Sequence, residues 1–155
     1  MDRHEFLEKI ATARQAWTEV VGRVPRERMT EPILDGGWSI KDVIAHVAWS
    51  EREMIGVARQ RALVGSPLWE LDQDARNALV YAENRDRDLD EVVADEQQIY
   101  AELLPLLEDL TDEDLVDGSR FENMLPGVPP WRIFAGNTFL HYAQHAAAIG
   151  AWLPD

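Results

Sequence analysis

Two of the four histidines in this chain, His141 and His145, stand four residues apart in the segment FLHYAQHAAAIGAWL. On a helix that spacing sets the imidazoles about 6 Å apart along the axis, where both can reach one ion at metal–nitrogen distances of about 2.0–2.1 Å. Phe134, Thr138, Ala148 and Trp152 continue the spacing on either side, so the pair falls on the stripe expected to pack into a core. Two hydrogen-bonded core histidines account for such a pair as well as a metal site does. A third ligand would separate the readings, and His46 is the candidate: it sits mid-helix between Val43 and Trp49, on the flank of another buried stripe. Three neutral imidazoles buried together without a cation leave donors and lone pairs to satisfy. A divalent ion removes that cost, and three protein ligands leave a coordination position open for reaction. His4, in the first turn of the first helix, is expected to be exposed.

Two further residues are candidates for catalytic work beside the histidines. Asn137 lies one turn before His141 and can orient a water or substrate; Glu53, two turns after His46, is either a carboxylate supporting the ligands, a general base, or a surface residue of the charged SERE run. A three-imidazole site accepts zinc, nickel and other late divalent ions. Among the tryptophans, Trp17 and Trp152 fit core stripes, Trp38 and Trp131 sit beside helix starts as plugs between loop and bundle end, and Trp49 lines a pocket or packs plainly.

The elements that must position these residues are helical. Asp2 and Glu5 have the spacing of a capping box, and Phe6, Ile10, Ala13, Trp17 and Val20 then repeat at three and four residues. A loop with Pro25, Pro32 and Gly36-Gly37 leads to Ser39, a good N-cap for a second helix whose stripe is Ile40, Ile44, Val47, Met54 and Ala58; Gly65 and Pro67 end it. LDQDARNALVYAENRDR predicts a shorter helix within the long connection. A third main helix starts near Asp88, with Leu89, Val92, Val93, Ile99, Leu103 and Leu107 on one face and Pro105 expected to kink or divide it. TDEDLVDGSRFENMLPGVPP is expected as a loop, and Pro130 as the first residue of the fourth helix. No segment alternates as a strand does, so the expected fold is all-α: a single four-helix bundle domain over residues 1–155, with long connections and a short extra helix between helices 2 and 3.

Composition narrows the function. The 155 residues include no cysteine, which excludes disulfides, thiolate metal sites and cysteine nucleophiles. Acidic residues outnumber basic ones 29 to 15, and the net charge of −14 repels phosphate backbones and anionic membranes, so neither nucleic acid nor membrane is expected as a partner. Residues 83–117 hold 14 acidic residues and two arginines, a net −12, which reads as a solvated helix face with flanking loops. The first residues lack the apolar stretch of a signal peptide, and a cytoplasmic location is expected. Leu68, Trp69 and Leu71 in the connection between Gly65 and Arg87 offer apolar surface for a homodimer.

GWSIKDVIAHVAWSEREM resembles the second helix of DinB-like four-helix bundle proteins, and NTFLHYAQHAAAIGAWL resembles their last; ARNALVYAENRDRDLDEVV between them is similar to the ClbS/DfsB branch. The three segments occur in the right order and span most of residues 36–153. The resemblance implies a site in which His46, His141 and His145 hold zinc or nickel. It also implies activities found in that superfamily, which includes thiol-dependent S-transferases, isomerases and, in the ClbS/DfsB branch, a cyclopropane hydrolase that disarms a genotoxic metabolite. The expected function is therefore a metal-dependent hydrolase or thiol transferase that detoxifies an electrophilic small molecule. The alternatives are a bundle that sequesters a metabolite without chemistry, and a vestigial site in a protein acting only through dimerisation.

Overall fold

Ser39 begins the helix that carries most of the core. Its Oγ accepts from the Asp42 amide while the Asp42 carboxylate accepts from the Ser39 amide, so two of the donors left free at a helix start are satisfied reciprocally. The computed structural model describes residues 1–154. Its helices are α1 (Arg3–Gly22), α2 (Ile40–Gln60), α3 (Gln73–Asn84), α4 (Leu89–Glu108), α5 (Asp112–Val116), α6 (Pro130–Asn137) and α7 (Phe139–Trp152). Among the described residues there is no β-strand, only an isolated bridge between Ala62 and Glu122. The fold is all-α: α1 packs against α7, α2 against α4, and α3 against α2.

Most of the expected stripe residues are buried: Phe6, Ile10, Trp17 and Val20 of α1, the α2 stripe, and Val92, Ile99, Leu103 and Leu107 of α4, while Ala13, Leu89 and Val93 are only partly so. The buried residues form two apolar clusters, one around Phe6, Met54, Leu103 and Phe134, the other around Trp17, Ile44, Val92 and Ile149. A polar layer lies at the level between them: Arg14 of α1 pairs with Glu51 of α2 and, through both guanidinium nitrogens, with Glu96 of α4. Tyr142 of α7 donates to Glu51 Oε1 at 2.5 Å, and the Trp17 indole donates to Glu96 at 3.3 Å.

Three local expectations change. Pro105 does not divide α4, which runs on to Glu108; the proline lies in the last turn, where the missing donor costs a single bond and its carbonyl still accepts from the Asp109 amide at 3.0 Å. The segment after Thr111 is not all loop: Thr111 and Asp114 form a second capping box that starts α5. Helix 4 is two helices, separated at Thr138 (φ −130°, ψ −104°). Thr138 Oγ1 donates to the Phe134 carbonyl at 2.7 Å and Asn137 Nδ2 to the Ile133 carbonyl at 2.9 Å, so side chains take up acceptors that the break would otherwise leave bare.

Candidate metal centre

The interruption at Thr138 settles what the two helix-4 histidines face. On α7 the fully buried residues are Phe139, Tyr142 and Ile149, whereas His141 and His145 are half-buried and Ala148 is exposed. The histidines therefore flank the core stripe instead of lying on it, and they turn toward α2. There His46 is 8% exposed, held edge-on by Trp38 with ring centroids 5.5 Å apart. His141 Nε2 lies 2.9 Å from His46 Nε2 and 2.9 Å from His145 Nε2, and one ligand atom from each ring falls within 4.8 Å of the others.

All three rings are neutral at pH 7. Burial holds His46 down to about 4, helped by the His145 ring and by the positive charge of Arg76. Burial alone brings His145 to about 4, and burial together with the other two rings puts His141 well below the ordinary imidazole range. Hydrogen bonds among the Nε2 atoms do not satisfy the rings fully, because Nδ1 of His46 and Nδ1 of His141 are buried without a protein partner. Three neutral nitrogen donors converging on one point suit a late divalent cation, and they suit it better than they suit each other. What the site lacks is the acceptor that usually fixes a ligating histidine from behind.

The histidines open into a cleft of about 420 Å³, walled by Trp38 and Trp49 from α2 and its approach, Trp69 from the connection, Arg76 from α3, and Asn137 and Gln144 from α6 and α7. Asn137 is thus on the cleft wall, with its Nδ2 committed to Ile133 and its amide oxygen left as an acceptor. Glu53 is not on that wall. Its Oε2 accepts from the Ser66 amide at 2.7 Å and from the Trp69 indole at 2.8 Å, so the carboxylate fastens the turn after α2 and holds Trp69 against Trp49, ring centroids 5.2 Å apart. Gly65 makes this clasp possible: a Cβ there would lie 2.6 Å from Trp69 Nε1 and 2.7 Å from Glu53 Oε2. His4 is exposed, as expected.

Trp38, Trp69 and Arg76 were not legible as site residues. Trp38 looked like an end plug, but its ring meets His46 on one side and stacks on Tyr81 of α3 on the other at 5.7 Å. Only the preference of tryptophan for pocket walls hinted at the first two; nothing local marked Arg76, which is delivered by a helix 30 residues from His46 in sequence.

An all-α bundle with a three-histidine cluster at one side of its core is the class of protein that fold and site define. The family model described as the DinB superfamily matches residues 9–148, and the chain belongs to that superfamily. Its fold is similar to that of an uncharacterised protein from Escherichia coli UTI89, with a TM-score of 0.81 at 17% identity over 97% of this chain and 92% of that one. It is equally similar to DfsB, described as a sibling lethal factor precursor, with a TM-score of 0.81 at 18% identity, covering 98% and 95%. A Streptococcus pneumoniae protein gives a TM-score of 0.73 at 12% identity, covering 98% and 90%. No curated protein matches the chain by sequence. No helix among the described residues is long and apolar enough to cross a membrane.

Proposed function

We propose that this protein is a metal-dependent enzyme acting on an electrophilic small molecule, by hydrolysis or by transfer of a thiol, with His46, His141 and His145 as the metal ligands. The observation that carries the reading is the convergence of the three Nε2 atoms at the wall of an open cleft, in a set of rings kept neutral by burial. A divalent ion held by His46, His141 and His145 would supply Lewis acidity and would lower the pKa of a water or thiol that it bound. The chain does the rest. The buried rings remain unprotonated and ready to bind, Trp49 and Trp69 shield one side of the cleft from water, and the Asn137 amide oxygen orients a donor on the incoming molecule. Glu53 acts at one remove, by keeping Trp69 in place. The detoxifying role is drawn from the resemblance of the sequence to the ClbS/DfsB branch, and membership of the DinB superfamily and the fold likeness to DfsB are consistent with that placement.

A second reading, sequestration of a metabolite without turnover, is favoured by one observation: the unpartnered Nδ1 atoms of His46 and His141, since ligands without a supporting acceptor bind metal about 10–100-fold more weakly. Metal analysis of protein purified without an affinity tag, followed by calorimetric titration of the chelator-treated protein with zinc and nickel, tests the site. One equivalent should bind to the wild type and to His4→Ala, and none at micromolar concentration to the alanine variants of His46, His141 or His145. No saturable binding to the wild type would overturn the metal-dependent reading. Turnover of an electrophilic substrate by the loaded protein separates enzyme from sequestering bundle.

A further inference from the structure

The chain carries 29 acidic residues, yet no aspartate or glutamate among the described residues lines the histidine cleft. The full charge on its wall is a positive one, Arg76. Most other arginines of this acidic protein pair with carboxylates, among them Arg14 with Glu51 and Glu96, Arg26 with Asp90, Arg52 and Arg87 with Asp95, Arg59 with Glu102, and Arg61 and Arg120 with Asp114. Arg76 has no carboxylate partner among the described residues. Its guanidinium lies over the Trp69 ring, 4.6 Å from the centroid, and one nitrogen reaches the Leu71 carbonyl at a long 3.4 Å. Trp69 is itself fixed by Glu53, so the arginine rests on a clamped platform. Its neighbour Asp72 caps the start of α3 through the Ala75 amide at 2.9 Å and makes no ion pair with it.

A planar guanidinium stacked on an indole keeps its edge free for a planar anion, which it can grip with two parallel hydrogen bonds. Arg76 and the three histidines line the same cleft. With a divalent ion among the histidines the cleft would hold two cationic centres and no compensating carboxylate, so a ligand bearing negative charge completes it electrostatically.

We propose that Arg76 is the specificity residue of this cleft and that the small molecule bound beside the three histidines carries a carboxylate that pairs with it. The inference rests on the reading of this cleft as the ligand site. Net repulsion by a −14 surface makes such selectivity depend on a local device, and the stacked, unpaired arginine is that device.

The test uses two pairs of probes, the members of each pair differing in charge. Zinc-loaded protein is titrated with 3-mercaptopropionate and with 3-mercaptopropionamide, in the wild type, Arg76→Gln and Arg76→Lys. Chelator-treated protein is titrated with benzoate and benzamide, followed through the fluorescence of the cleft tryptophans. The wild type should prefer the carboxylate by about tenfold or more, as expected for hydrogen bonds to a charged group. Arg76→Gln should lose most of that preference while binding zinc with unchanged stoichiometry, and Arg76→Lys, which keeps the charge without the planar fork, should retain no more than a part of it. Equal preference in the wild type and Arg76→Gln would overturn the inference and leave the metal site standing. Failure to bind zinc, with a benzoate preference that still depends on Arg76, would remove the metal-dependent reading and sustain this one.

Discussion

At the residue scale the central fact is the protonation state of the histidines. An exposed trio would lose metal as pH fell through the ordinary imidazole range near 6.5. Burial has already done the deprotonating here: His46 and His145 are held at about 4 and His141 lower still. Zinc affinity should therefore be nearly constant from pH 7.5 to about 5.5 and fall steeply only below about 5, where protons begin to compete. Calorimetric titrations across that range check it, and a tenfold loss between pH 7.5 and 6 would count against the buried geometry. The same lowered pKa values carry a stability cost on the acid side. The unfolded chain takes up protons at these rings near 6.5 and the folded chain does not, so the metal-free protein should lose stability as pH falls below 6.5.

At the scale of elements, two devices shape the cleft. The first is the Glu53–Trp69 clasp over Gly65. Gly65→Ala inserts a methyl into space already filled by the indole and the carboxylate, and overpacking of this kind costs about 1–3 kcal/mol. The cheaper escape is to release Trp69, so the variant should show greater quenching of tryptophan fluorescence by acrylamide and weaker ligand binding, with helicity unchanged. The second is the interruption at Thr138. Thr138→Val keeps the shape but removes the donor to Phe134, leaving a buried carbonyl short of a partner at a cost of about 1–3 kcal/mol. A shift of the denaturant midpoint measures this, and an unchanged midpoint would show that the break is held by packing alone. Lys41 serves the same end from the other side, donating to the Arg85 and Arg87 carbonyls at 2.6 and 2.9 Å and so tying the end of α3, the helix of Arg76, to α2.

Across the whole molecule the polar layer ties α1, α2, α4 and α7 together. Two carboxylates and one guanidinium meet between the apolar clusters, and Glu51 is fully buried with one oxygen unpartnered. Burial, reinforced by Glu96, pushes its carboxyl up to about 8, so at neutral pH Glu51 is the protonated member and Arg14–Glu96 the neutral ion pair. The sign follows from linkage. The folded state holds a proton that the unfolded chain releases near 4.5, so this group's contribution is full below about 4.5 and is lost as pH rises toward 8. Unfolding of the wild type should become easier between pH 6 and 8.5, and Glu51→Gln, which keeps the acceptor for Tyr142 without the charge, should flatten that slope. Denaturant melts at several pH values decide it; identical slopes in both proteins would place the charge elsewhere.

The helices, their caps and the all-α class were legible in the sequence because the interactions that make them span three or four residues. Ser39 finds Asp42, and Phe6, Ile10 and Trp17 share a face, whatever the rest of the chain does. His141 and His145 were legible for the same reason, and His46 followed as the other mid-helix imidazole, on the flank of a stripe in a bundle where helices 2 and 4 can face each other. What only the tertiary structure decided depends on contacts across tens of residues. Glu51 and Glu53 belong to one charged run, SERE, yet one is sealed in the core against Arg14 and the other clamps a tryptophan 16 residues on. Glu96 lies in the acidic stretch expected to be solvated, and it too is buried. A helical period states which residues share a face but not which neighbour that face meets, so the placement of Arg76 over Trp69 could come only from the packing of α3 against α2.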